Sequence, residues 1–486
     1  MMLTLPYVLA GRAESPNADL VVLDKYRGEV FARVAAPDAA AVDRAIDAAV
    51  AAAAPLRRLP SHRRQASLRH VAERLAGDAD RFARMLVRET GKTIHEARVE
   101  VARAIETFTR SAEEATRIGG EYLPLDLSSR SEGLRAITRR VPVGPCSFIT
   151  PFNFPLNLAA HKVGPALAAG CPFILKPDPR TPVTSIMLGE ILAEADLPPG
   201  SFSMLPVVKD GLNLLSEDER LRLLSFTGSP AVGWMLRSRA GRKKVTLELG
   251  GNAACVVDDT VDVSVAAARL VTGAFAQAGQ SCISVQRIIA HETILDDLRE
   301  RLLGRIASLR MGDPMEESTT LGPMISEGEA RRVETWVQEA VEGGARVLCG
   351  GERQGSFFQP TLLERVDAAA KVSCREVFGP VATLEGFRDF DAALRRVNDS
   401  DYGLQAGLFT RDIHRAFRAL DELEVGGVVI NDVPSTRVDS MPYGGVKASG
   451  LGREGVRYAI EDMTEIRVMV LSRVGGSVGG GAGSGG

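Results

Sequence analysis

CSFITPFNFPLNLAAHKVGPALAAGCPFILKP, residues 146–177, reads as a short apolar strand, a helix and a second apolar strand in immediate succession. The first strand is CSFIT, the helix covers 156–169 and PFILKP is the strand that follows. A helix over 184–195, the strand FSMLPV, a helix near Leu212 and the strand LRLLSFTG continue the alternation. Short buried strands joined by helices predict a mostly parallel, doubly wound α/β sheet. After Gly250-Gly251 a second series begins: ACVVDD, a helix over 261–275, QRIIAHE, helices over 294–309 and 326–343, RVLCGG, and further strands to VVIND. It reads as another α/β unit inserted before the chain returns to the first.

The stretch before residue 146 has a different texture. Apolar spacing predicts helices over 37–54, 61–75, 78–89 and 94–118, the last closed by Gly119-Gly120. Residues 134–141 alternate as an arm or edge strand does, and 462–472 read as a terminal strand. Residues 475–486 are glycine and serine around Val478, the composition of a disordered tail.

Composition excludes several classes. A chain of 486 residues with 45% hydrophobic and 25% charged content suits a globular protein of several structural units. A net charge of −3 without a basic block argues against a nucleic-acid partner. No apolar run approaches the roughly 18 residues of a membrane span, and MMLTLPYVLAGR lacks the basic start of a signal peptide. Cysteines at 146, 171, 255, 282, 349 and 374 form no CxxC pair or disulfide framework. A reducing, cytoplasmic setting without a metal site is the expectation.

Four strings carry chemistry. In AQAGQSCISVQR, Cys282 is flanked by Gly279, Gln280, Ser281 and Ser284, small or polar neighbours unlike those of a packed core cysteine. A thiolate attacks carbonyl carbon, and a carboxylate nearby can activate water to release the product. VTLELGGNAACVV supplies that carboxylate, Glu248, between two leucines at a strand end. PFNFP supplies Asn153, an amide donor suited to a developing oxyanion. CREVFGP supplies Glu376 and Phe378.

In order and spacing these strings resemble the aldehyde dehydrogenase superfamily, from about residue 20 to about residue 470. The resemblance implies a Rossmann-like cofactor domain, a second α/β catalytic domain and a small β oligomerisation arm. The dinucleotide-binding domain would span 1–122 and 142–249, the catalytic domain 250–440, the return 441–461, and the arm 123–141 and 462–473. It implies Cys282 as nucleophile, Glu248 as base, Asn153 with the Cys282 N–H as oxyanion hole, and Lys162 as a proton-relay member. Around the cofactor it implies Thr150, Pro151, Phe152, Lys176, Pro179, Gly228, Ser229, Gly233, Leu249, Gly250, Glu376 and Phe378. The cofactor is expected to be NAD. Pro179 stands where NAD-preferring relatives often carry a ribose-binding glutamate, and with Arg180 beside it NADP stays open.

The substrate side departs from the commonest members. His161 stands where many relatives have a large aromatic. Arg103 and Arg110 lie seven residues apart on one helix face, and Arg437 falls in the closing loop NDVPSTRVDSMPYGG. Together these residues resemble the subgroup that oxidises small polar or anionic aldehydes, a phosphonate, sulfonate, phosphate or hydroxy aldehyde; Ser281, just before Cys282, stands where some phosphonate-handling members have arginine and so counts against a phosphonate. A homodimer or homotetramer is implied. Glu248 disfavours a coenzyme-A-acylating enzyme, whose members lack it, and with Cys282 it disfavours a catalytically silent binding protein.

Overall fold

The computed structural model describes residues 2–208 and 211–472; the tail at 475–486 lies outside the described residues. Two α/β sheets dominate. The first runs, edge to edge, Gly450–Leu451, Lys244–Glu248, Leu223–Thr227, Cys146–Ile149, Phe173–Lys176, Phe202–Met204, Tyr7–Leu9 and Arg12–Glu14. Its central five strands are parallel, and antiparallel strands close both edges. The second runs Arg346–Cys349, Thr361–Glu364, Val381–Phe387, Arg287–His291, Ala254–Val257, Gln405–Phe409 and Gly427–Ile430. Only its Arg346–Cys349 edge is antiparallel.

The apolar runs of the sequence are explained by burial on both faces. In Phe173–Lys176, Phe173 and Leu175 join one core cluster while Ile174 faces another. Strand order also fixes where a ligand can enter. From Cys146–Ile149 the chain steps outward to Phe173–Lys176 and Phe202–Met204, then crosses back to Leu223–Thr227 on the other side. Loops diverge at such a switch point and leave a crevice at the carboxyl ends of the strands.

Between strands lies the helix Asn157–Ala169, buried along its whole length and ended by Gly170 at φ +88°. Its N-terminus is capped from another helix: Glu100 Oε1 accepts from the Leu156 and Asn157 N–H groups at 2.9 and 3.2 Å. Glu100 belongs to Ile94–Glu114, which opens with a Thr93/Glu96 capping box.

Three expectations need correcting. The stretch before residue 146 holds more than the helices read from it, since five short strands precede the helix Ala39–Arg58. Strands of three to five residues are too short to register a period. The helix expected to 118 stops at Glu114. Near Leu212 there is a single turn, Leu214–Glu217.

Arg135–Pro142 pairs antiparallel with Thr464–Leu471 along eight positions and with Tyr122–Pro124 on its other side. Ile466, Val468, Met469 and Val470 of this arm are exposed. Among the described residues no helix is long and apolar enough to cross a membrane. All six cysteines are free.

Phe148 is fully buried and stacks on Phe173 at 5.5 Å between ring centroids. Phe148→Ala is expected to destabilise the first sheet by about 3–5 kcal/mol through lost burial and a residual cavity. Denaturant unfolding followed by circular dichroism measures it; a change below about 1 kcal/mol would contradict this account of the core.

Candidate active site

A cavity of about 1040 Å³ lies at the carboxyl ends of the first sheet's strands, closed from the other side by loops of the second. Each loop brings residues singled out in the sequence. Thr150, Pro151, Phe152 and Asn153 follow Cys146–Ile149; Lys176 ends Phe173–Lys176; Gly228 and Ser229 follow Leu223–Thr227. Glu248, Leu249 and Gly250 end the next strand, while Ser281, Cys282, Glu376, Phe378 and Arg437 come from the second unit. Arg103 lines the cavity from the helix Ile94–Glu114.

Cys282 follows the helix Val263–Phe275 through a tight turn in which Gln277 and Ala278 hold φ near +52°. Non-glycine residues occupy that region only when neighbours impose it. Here the Gln277 N–H donates to Glu96, and its side-chain amide donates to the Asn153 carbonyl. The Cys282 sulfur lies 3.0 Å from the Tyr443 hydroxyl. Burial pushes the thiol up to about 12, against the opposing effect of the Tyr443 bond. At rest the sulfur is a thiol.

Glu248 is buried, and neither of its carboxylate oxygens has a hydrogen-bond partner. Burial, then the nearby charge of Glu454, raises its pKa well above the ordinary carboxylate value. An acid with so strong an affinity for protons is suited to take one. Asn153 donates from Nδ2 to the Gln280 carbonyl at 3.1 Å, which leaves the second amide hydrogen for a ligand.

Close to Cys282, Glu376 accepts from the Gly251 N–H at 2.9 Å, and burial pushes its pKa up to about 7. A side chain at Gly250 would collide with this carboxylate, so the glycine is required by close approach. Phe378, at φ +48°, meets Phe152 edge-on at 5.7 Å. These groups fit a dinucleotide: a polar carboxylate and aromatic faces beside Cys282, with the Lys176 cation farther along.

Several sequence readings change. Gly233 does not line the cavity; it makes room for Leu249 where the helix Pro230–Arg239 packs on the sheet. Pro179 is not a lining residue either. Its neighbours Asp178 and Arg180 are, bonded to each other at 2.8 and 2.9 Å, so a carboxylate does stand at this point. Arg180 also lies 4.3 Å over the Phe152 ring.

On the substrate side Arg110 drops out. It is exposed and pairs with Glu106 and Glu113 of its own helix. Two helical turns carry it about 10 Å from Arg103 along the axis, beyond the cavity. His161 and Lys162 lie behind the wall, around a small void shared with Glu454 and Asp462. His161 Nε2 and Asp439 Oδ1 are 2.8 Å apart, and burial, then the Arg437 charge, lowers the imidazole pKa. Asp439 also accepts two bonds from Arg103 at 2.7 and 3.1 Å. Lys162 donates to Ser225 at 2.8 Å and to Glu454 at 3.2 Å. Arg437 donates to the other Glu454 oxygen at 3.0 Å and lies 3.7 Å over the Tyr443 ring, with its Nε–H unpartnered.

Sequence reading missed Glu454, Asp439, Tyr443, Lys92 and Glu100. Two of them, Asp439 and Tyr443, sit in the string NDVPSTRVDSMPYGG that supplied Arg437. The signal was a carboxylate and a phenol interleaved with an arginine in a loop.

The chain is similar throughout to proteins of known activity. A 3-sulfolactaldehyde dehydrogenase of Priestia megaterium is 45% identical over 95% of this chain and 97% of its own length. A lactaldehyde dehydrogenase of Methanococcus vannielii is 37% identical over 93% of this chain and 97% of its own. The crystal structure of aldehyde dehydrogenase 21 from Physcomitrella patens, in complex with the reaction product succinate, superposes with a TM-score of 0.96. That protein is 47% identical, and the match covers 98% of this chain and 99% of that one. The aldehyde dehydrogenase family pattern itself matches residues 12–469. The chain belongs to the aldehyde dehydrogenase family and is an NAD(P)-dependent oxidoreductase of aldehydes.

Proposed function

We propose that this enzyme oxidises a short aldehyde bearing a negative group to its carboxylate, by way of a Cys282 thioester hydrolysed with Glu248 as base. The observation that carries the anionic substrate is Arg437. It is a cavity-lining guanidinium with a buried, unpartnered Nε–H, joined through the Tyr443 ring to the nucleophile. A buried donor without an acceptor is costly, and an anionic substrate group would satisfy it. Nearby, Arg103 is paired with Asp439, and Lys162 and Arg437 share Glu454. Two of the three relatives agree in kind, since sulfolactaldehyde and succinate are anions at the end remote from the reacting carbon, whereas lactaldehyde is neutral.

In the first step the Cys282 sulfur bonds to the aldehyde carbon and the carbonyl π pair moves to oxygen. The free Asn153 amide hydrogen and the Cys282 N–H stabilise that oxyanion. The bound dinucleotide supplies the hydride acceptor. Glu248, ionised, then removes a proton from the water that attacks the thioester carbon, which expels the thiolate. That step separates the reading from coenzyme-A acylation. Domain roles follow the bounds given above, with NAD as the first choice of cofactor. The exposed apolar strand Thr464–Leu471 supports packing of the arm against another subunit, in a cytoplasmic dimer or tetramer.

Arg437→Gln is expected to lose about ten- to a hundred-fold more in kcat/KM toward a sulfonated or carboxylated aldehyde than toward a neutral aldehyde of equal length, whose loss reports the effect on Cys282 alone. Equal losses on both would sink the anionic reading.

Glu248→Gln is expected to release close to one equivalent of NAD(P)H per site rapidly, then turn over slowly. Stopped-flow absorbance tests this; a slow first turnover would give Glu248 another task.

The pH dependence has a definite sign. Cys282 and Glu248 both act as anions, and both are held above their ordinary values, so raising the pH increases the active fraction of each. The kcat/KM value should therefore climb from pH 6 to pH 9, and a profile that falls over this range contradicts the assignment.

A further inference from the structure

We propose that Tyr443 is a catalytic residue, its hydroxyl donating a hydrogen bond to the Cys282 sulfur as that sulfur becomes a thiolate. The inference rests on Cys282 being the nucleophile. Its first ground is contact, since the phenol oxygen lies 3.0 Å from Sγ. A sulfur acceptor at that separation is well within bonding reach, and a bond to the ionised form favours ionisation.

The second ground is that Tyr443 is held from three sides. Its backbone forms an antiparallel bridge with Glu454, with the Tyr443 N–H donating to the Glu454 carbonyl at 3.0 Å. The ring is packed with Ile283 and Leu404, beside Met441 and Cys282 itself. The Arg437 guanidinium covers the ring face at 3.7 Å. Such a cation draws electron density toward the ring and makes the O–H a stronger donor. Arg437 is in turn fixed by Glu454, so one carboxylate anchors both the backbone and the cation behind this phenol.

The third ground is protonation state. Burial, then the neighbouring Cys282, raises the Tyr443 pKa well above its ordinary value, so the hydroxyl keeps its proton and remains a donor. The charged groups acting on Cys282 pull in two directions. Glu376 and Glu248 oppose a thiolate, while Arg437 and the Tyr443 hydroxyl favour it. Of these, the hydroxyl alone touches the sulfur. The ionising proton leaves Sγ for solvent; Tyr443 gives up no proton and no covalent bond of its own changes.

A bond of this kind should move the thiol ionisation by about one to two pH units. A more basic thiolate is also a better nucleophile, with a Brønsted slope of about 0.5, so reactivity at fixed neutral pH changes by only about three- to ten-fold. The test is alkylation of Cys282 by iodoacetamide from pH 6 to pH 9, with Cys282→Ala identifying the reacting sulfur. Tyr443→Phe should run three- to ten-fold slower at every pH, a parallel displacement of the profile to higher pH. Its melting temperature and NAD(P)H titration report whether the variant is folded. Incorporation of 3-fluorotyrosine at position 443, a more acidic phenol of nearly the same size, should displace the profile the opposite way. A merely structural role would not produce opposite displacements. Overlapping profiles for wild type and a folded Tyr443→Phe would overturn the proposal, as would slower alkylation with the fluorinated phenol. Unchanged alkylation and turnover in Cys282→Ala would be a different failure, that of the nucleophile assignment itself.

Discussion

One buried ammonium group ties the reacting parts together. Lys92, with no exposed side-chain surface, is ion-paired to Glu100 and donates to the Asn153 carbonyl at 2.8 Å and to Gln277 Oε1 at 3.2 Å. Asn153 belongs to a loop of the first sheet; Gln277 belongs to the strained turn that delivers Cys282 from the second. The other Glu100 oxygen caps the buried helix that carries His161 and Lys162. A lysine has three N–H donors, and here all three are used. Removing one partner of such a pair leaves an uncompensated charge at a cost of about 3–5 kcal/mol. The relative position of Cys282 and Asn153 is therefore a property of the folded core rather than of a surface loop.

What could be read from the sequence divides along a physical line. The strings around Cys282, Glu248, Asn153 and Glu376 were legible because each is a strand end or tight turn whose geometry is set by its own few residues. Side chains whose role depends on a distant partner were not. Arg103, His161 and Arg437 do gather, but around Asp439 and Glu454, carboxylates far away in sequence from the first two. Helical spacing correctly put Arg110 on the Arg103 face, yet it carries no information about where that face leaves the cavity. The short strands before Ala39 went unread for a related reason, since they are defined by pairing rather than by period.

The cleft is not arranged for stability. Glu248 is kept without a partner, and Glu376 has a pKa raised to about 7 by burial with little compensation. Each is a charge that folding alone would have neutralised or exposed. Tolerating such groups is what a reaction centre requires, because a base already bonded to a cation has lost its affinity for protons.

The contrast between two buried glutamates makes the point quantitative in direction. Burial acts on both to raise the pKa. At Glu454 the charges of Lys162 and Arg437 more than reverse it, and the carboxylate is held down to about 2. At Glu248 the same two cations act only from a distance, and the pKa stays well above normal. Pairs of carboxylates whose environments drive their pKa values apart mark a division of roles. Glu454 is the permanent anion that organises Lys162, Arg437 and, through its backbone, Tyr443. Glu248 is the one left without a hydrogen-bond partner. Because both cations turn toward Glu454, Glu248 remains bare, and the Arg437 Nε–H is left buried without an acceptor. A single carboxylate thus holds both cations and leaves Glu248 unpaired close by.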